Sequence, residues 1–388
     1  MLKKNWVKIS VVMVFVASII LFFVMENLMG RDGDFVFMPM GDAVVFDVGA
    51  GASIHATGGR GFFVVTRNGI TYRRDDGRVL MNESFNITNP IIQGAGEVVG
   101  VFGHGGYQVR VYNTRGLMYH LHLENPVINL SINPQGFISV VTRSGSVYES
   151  FLYDPQGRLV LSNRESTNIV IATAISPDGR IWAQAFLDIS GLVRNSYISF
   201  RYIRREDGLR YTDSTFATVF GENISELSGQ FFGSLDFIDG NNLIVVTESS
   251  VFKLDMAQPS RPRWVIPFSN EVTAFTANGS YIAFAYGRGR LNMPEEPFGR
   301  VELYNLDGVR VFYHDTNARV TGLYMSQLGL IIGNGRFFTA LDHIGEELWY
   351  FEADADAREA VFMDNAGKIV LHTNSRATVL RRVRITGN

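Results

Sequence analysis

His120 and His122 stand two apart in a run of strand-forming residues, so their imidazoles share one face and could hold a metal ion. No third ligand is evident: the other histidines are scattered, and the chain has no cysteine. A pair flanking Leu121 reads as the surface of an outer strand. Arg31-Asp32-Gly33-Asp34 resembles the start of a calcium loop but lacks the third oxygen position and the distal Glu, so it reads as a solvated tether. Pro177-Asp178-Gly179 is a turn sequence. Gly58-Gly59-Arg60-Gly61 and Gly287-Arg288-Gly289-Arg290 are glycine-rich, yet neither precedes a helix, so a P-loop-like phosphate cradle is unsupported. Arg201, Arg204, Arg205 and Arg210 form one basic cluster, and Arg381, Arg382 and Arg384 another. Each could meet an anionic polymer; a solvated strand face explains each without a ligand.

The lack of cysteine removes a disulfide framework, a thiolate metal site, a cysteine nucleophile and a lipidated-cysteine anchor. The sequence therefore nominates no catalytic, cofactor-binding or metal-ligating residue and implies no cofactor.

The elements that would position any site repeat along the chain. A polar turn closing on Gly precedes an apolar run of up to six residues, as in Ile132-Asn-Pro-Gln-Gly136 before Phe137–Val141, or Ile175-Ser-Pro-Asp-Gly179 before Ile181-Trp-Ala. The closing glycines are Gly59, Gly96, Gly136, Gly179, Gly240, Gly279, Gly329 and Gly367, with a mean spacing of 44 residues. Such turns favour a Gly with positive φ, and the apolar run reads as a strand buried on both faces. A second hairpin falls between successive turns, as in Leu152-Tyr-Asp-Pro-Gln-Gly157 before Leu159-Val-Leu. Both hairpins in alternation, at this period, predict an all-β fold: an eight-bladed propeller of four-stranded antiparallel blades. Seven blades result if one weak copy, the first above all, is misread.

The last copy runs out before a fourth strand, while 35–48 holds spare strand residues, including Ala43-Val-Val-Phe46. Using that segment as the outer strand of the last blade closes the ring and removes a bare sheet edge. Two stretches exceed the repeat, Arg204–Gln230 and Asn292–Gly299, and read as insertions on the propeller faces. Propellers often build a site on their first strands around the channel. There Pro126–Ser131, Ile169–Ala174 and Val320–Tyr324 are apolar or hydroxylic, which weakens a glycosidase or lyase reading.

At the N-terminus Lys3, Lys4 and Lys8 precede a charge-free run from Ile9 to Met25, at the short end of what spans a bilayer. The lysines place 1–8 in the cytoplasm, 9–25 as a transmembrane signal anchor, 26–34 as a linker and 35–388 as the propeller outside the cytoplasm. A cleaved signal peptide is the rival, but Met25-Glu-Asn-Leu-Met29 offers no small-x-small cleavage site. Setting the three lysines aside leaves 32 of the 35 basic residues against 38 acids. That acidic balance argues against nucleic acid as a partner.

The layout resembles an uncharacterised bacterial family of single-span, membrane-anchored extracytoplasmic propellers with WD40-like or quinoprotein-like repeats. The resemblance rests on Lys3-Lys4 with the span, Met40-Gly-Asp-Ala-Val-Val45, and Ala174-Ile-Ser-Pro-Asp-Gly179 followed by Leu187-Asp-Ile-Ser-Gly191. It implies no catalytic residues and no cofactor. The expected function is a non-catalytic, membrane-tethered scaffold for a protein or envelope polymer. The alternative is a carbohydrate-active or other enzyme with a site at the channel mouth.

Overall fold

The structure is a computed structural model that describes residues 35–46, 52–191, 195–206, 210–224, 227–287, 299–363 and 367–384. The anchor, the linker with Arg31–Asp34, Arg288–Arg290 and residues 292–298 lie outside the described residues. Among the described residues no helix is long and apolar enough to cross a membrane.

Eight four-stranded antiparallel sheets follow one another along the chain. Blades 1 to 7 take residues 53–84, 90–122, 127–165, 168–220, 232–267, 272–316 and 322–352. Blade 8 is built from Ala357–Phe362, Lys368–Thr373 and Arg376–Arg384, and its fourth place is filled by Phe35–Val45. The ring is thus closed by the N-terminal strand, and the count is eight rather than seven. Residues 39–380 form one compact unit, within which the Phe46 N–H donates to the Ser375 carbonyl at 2.9 Å. Residues 35–38 and 381–384 belong to a second, small unit, where the Arg382 guanidinium lies 3.7 Å from the Phe35 ring centre.

The apolar runs become the second strand of each blade and are buried almost without interruption, as in Phe62–Val65 and Val98–Phe102. Both faces of such a strand pack against neighbouring blades, so the core lies between blades. Val99, Val101 and Tyr112 of blade 2 meet Phe63, Val65 and Tyr72 of blade 1. Leu243, Val245 and Phe252 of blade 5 meet Ala183, Ala185 and Phe200 of blade 4. Fully burying one such side chain contributes roughly 1.5–3 kcal/mol.

The turns depart from expectation in one respect. Gly240 and Gly279 do not have positive φ, unlike the other six closing glycines. In their turns a side chain holds the backbone. The Asp239 Oδ1 accepts from the N–H groups of Asn241 and Asn242, and the Asn278 Oδ1 from those of Ser280 and Tyr281. Asn133 makes similar contacts, to the N–H groups of Gln135 and Phe137, in the turn that closes on positive-φ Gly136, so the side-chain bonds are common to both kinds of turn.

The long fourth interval also resolves. Much of it is strand: blade 4 carries Asn195–Glu206 paired with Arg210–Phe220, the longest hairpin described. A short 3₁₀ turn, Gly221–Asn223, begins the connection to blade 5. In an antiparallel blade the first-to-second and third-to-fourth turns share one face of the ring, so this hairpin rises from the same face as the glycine turns.

Candidate functional site: inner wall and blade 3–4 cleft

The first strands face one another around the axis, and several polar side chains on them and in the turns that follow tie one blade to the next. Asn129 Nδ2 donates to the Ile171 carbonyl at 3.2 Å, and the Ser131 and Thr173 hydroxyls lie 3.0 Å apart. Asn133 Nδ2 donates to the Ser176 carbonyl at 3.0 Å, and Asn278 Nδ2 to the Ser326 carbonyl at 3.3 Å. Tyr324 donates to the Arg358 carbonyl at 3.3 Å. His55 Nε2 sits 3.0 Å from the Gly96 carbonyl, and burial lowers the pKa of its imidazole.

Asp236 and Glu359 are the only carboxylates in the eight first strands, and sequence reading missed both. They sit in apolar runs that draw no attention. Only alignment of the first strands through a shared bulge finds them. That bulge, at 232/234 and 357/359, also recurs in blades 3, 4 and 6. The two carboxylates lie on blades 5 and 8, two register positions apart relative to the bulge. Enclosure by the ring pushes the Asp236 carboxyl up to about 6, although its surface still meets water. Glu359 lies 3.0 Å from the buried His372 Nδ1, which engages it as a partner. Glycoside hydrolysis needs two carboxyl groups flanking one bond within roughly 10 Å; here the two carboxylates stand on separate blades, and Glu359 is engaged by His372.

The residues nominated from sequence fall as follows. His120 and His122 are exposed on the outer strand of blade 2, opposite Arg110 and Gln108. A cation across from His120 disfavours a metal there. Among the described residues no three His, Asp or Glu side chains converge. Asp178 is a turn residue: its Oδ1 accepts from the Ser176 hydroxyl at 2.6 Å and the Arg180 N–H at 3.2 Å. Gly58–Gly61 is the first turn of blade 1 and leads into a strand, not a helix. Gly287 ends the second strand of blade 6.

The first arginine cluster separates. Arg201 pairs with Asp213 at 3.4 Å and lies 5.9 Å from the Trp182 ring centre. Arg204 instead stands with Arg180 beside a cleft of about 740 Å³ between blades 3 and 4. Phe137 and Ile203, both buried, form its floor with Tyr211 beside them, whereas the Tyr202 ring packs on the other face of its strand, against the core between blades 4 and 5. Beneath them Asp154 is fully buried. Its Oδ1 accepts from the N–H groups of Gln156 and Arg158; its Oδ2 accepts from Arg158 Nε at 2.7 Å and the Tyr211 hydroxyl at 3.3 Å. Burial works to raise the Asp154 carboxyl, but the bonds from Arg158 and Gln156 outweigh it and hold the carboxyl below its ordinary range. Sequence reading saw Asp154 only as a turn residue, because Tyr211 is 57 positions away.

A profile described as a family of unknown function, DUF5711, matches residues 50–381. The chain belongs to that family. Comparison with curated proteins finds no match. Among solved structures this DUF5711 chain is similar to BamB from Moraxella catarrhalis, at 13% identity and TM-score 0.54, over 89% of this chain and 100% of that one. It is similar to Sqt1 from Saccharomyces cerevisiae, at 9% identity and TM-score 0.61, over 89% and 99%. It is also similar to the C-terminal WD40 domain of Sif2, at 10% identity and TM-score 0.56, over 88% and 99%. At such identities the likeness speaks to the propeller fold alone.

Proposed function

We propose that this DUF5711 chain is a protein-binding scaffold held at a membrane. In this reading residues 9–25 span the bilayer, 1–8 stay in the cytoplasm, and the propeller lies outside it on the short linker 26–34. The observation that carries the binding role is an apolar residue recurring at one exposed position. Val79, Leu117 and Leu159 hold the same register place at the start of the fourth strand of blades 1, 2 and 3 and are 43%, 38% and 54% exposed; on blade 6 that place is Arg310, with Val309 beside it and 59% exposed. Scattered apolar side chains are ordinary on protein surfaces; recurrence at one position around a rim is a pattern. On blade 6 the row continues through Val311 and Tyr313, with Arg300 and Arg310 lying 4.6 and 5.5 Å from the Tyr313 ring centre. Tyr and Arg are among the residue types enriched at interface hot spots.

A photo-crosslinking residue placed at Val311 in intact cells should give one discrete protein adduct that Tyr313→Ala abolishes. No adduct from Val311, Val309 or Leu159 would overturn the scaffold reading. The tether is tested separately. The chain should stay in carbonate-washed membranes, with the propeller open to protease added outside the membrane. Release into the soluble fraction would remove the anchor from the proposal.

A further inference from the structure

We propose that the cleft between blades 3 and 4 binds an acidic peptide segment of the partner; this rests on the protein-binding reading above and gives it a second, chemically distinct contact. Charge complementarity carries the choice of ligand. Among the described residues that line the cleft, Arg180 and Arg204 stand against a single carboxylate, Asp178. The Arg180–Asp178 pair is loose, at 3.5 Å, with the Arg180 side chain 77% exposed. An exposed pair of this kind is worth little, so Arg180 can exchange Asp178 for an incoming carboxylate at small cost.

The rest of the cleft suits a peptide. Phe137 and Tyr211 meet edge to face, at 83° and 6.4 Å, over the buried Ile203. That leaves a slot for an apolar side chain rather than the open aromatic platform on which a sugar ring stacks. The Gln156 amide lines the same cleft and can pair with an extended backbone. The wall is also set in advance. Tyr211 is held by its hydrogen bond to Asp154, itself clamped by Arg158, so little ordering is left to binding. Finally, the cleft exists because blade 4 carries the longest hairpin described: its pairing with the second strand stops at Ile181–Tyr202, and Arg204 and Tyr211 lie on strand beyond that point.

The test uses the full chain in detergent micelles and three probes in fluorescence titrations: an alternating Glu-Leu octapeptide, its Lys-Leu counterpart, and polygalacturonate as an anionic saccharide. The Glu-Leu peptide should bind best, and Arg180→Glu with Arg204→Glu should weaken it by about tenfold or more, the loss expected for a charge-assisted pair. Gln156→Ala should weaken it while Arg60→Glu, on an exposed turn of blade 1, should not. Unchanged melting temperatures identify these as binding effects. No preference for the Glu-Leu over the Lys-Leu peptide, tighter binding of polygalacturonate, or equal binding by the double charge reversal each overturns the proposal. The Val311 adduct separates the two readings. If it persists while the peptide fails, the cleft assignment falls and the scaffold stands; if it is absent, the scaffold reading itself falls.

Discussion

The junction of blades 2 and 3 and that of blades 3 and 4 solve the same packing problem with different chemistry. At the first, Phe102, Val109 and Val111 press against Leu130, Ile138 and Val140. At the second, the indole of fully buried Trp182 donates from Nε1 to Ser139 Oγ at 3.0 Å, and Gln184 Nε2 donates to Ser150 Oγ at 2.6 Å. Three further bonds join the inner strands there, and Tyr211 reaches back to Asp154. An apolar junction gains free energy from area but tolerates small slips. A polar one pays desolvation and is satisfied in one register only. The blade that carries the long hairpin and the cleft is the one attached in this directional way.

The comparison breaks most visibly at Trp182. Trp182→Ala should cost about 3–5 kcal/mol, because it opens a cavity and strands the Ser139 hydroxyl. Val111→Ala at the neighbouring junction should cost about 2 kcal/mol. Urea unfolding of the two variants measures the difference; equal losses would mean the polar contacts add nothing at this junction.

Next in size is Asp154. Asp154→Ala should cost about 2–3 kcal/mol, through loss of charged hydrogen bonds beneath the cleft. Because folding lowers its pKa, Asp154 contributes stability above the unfolded value of about 3.9 and loses it as pH falls through the folded value. Asp154→Asn should therefore flatten the acid limb of stability against pH.

Asp236, outside the junction, has the opposite sign. With its folded pKa raised to about 6, its favourable contribution is present below about 3.9 and lost as pH rises through 6. Asp236→Asn should remove that decline between about pH 4 and 6. A decline that survives the substitution would assign it to another group.

What the sequence made legible follows from which forces are local. A tight turn followed by a strand buried on both faces demands its residue types within ten positions, so the eight glycine turns and their apolar runs were visible, Gly240 and Gly279 included. Closure was visible because the last copy ran out after its third strand, Ala377–Ile385, while Ala43–Phe46 was spare at the other end. Blade 4 was harder. Arg204–Gln230 reads as a polar insertion, since both strands of its hairpin carry charged and hydroxylic residues, and only pairing with each other reveals them as strand. The junction itself was out of reach: Ser139 and Trp182 are 43 residues apart, and nothing near either one announces the other.

The finest probe of the comparison is the Gln184–Ser150 bond, where the expected net effect is smallest. Both side chains are buried, and Gln184 Oε1 has no hydrogen-bond partner. Ser150→Ala alone should cost about 1–2 kcal/mol, because it leaves the Gln184 amide buried and unpaired. Gln184→Met alone should cost less, since the Ser150 hydroxyl can turn toward a backbone acceptor. Combining the two replaces a half-satisfied pair with apolar surface and should return stability to within about 0.5 kcal/mol of the parent chain. If the double variant is as stable as the parent yet binds the Glu-Leu peptide more weakly, the polar contacts serve the position of blade 4 rather than the strength of the ring. If it is as unstable as Ser150→Ala, the pair contributes net stability and the contrast between the two junctions is one of strength alone.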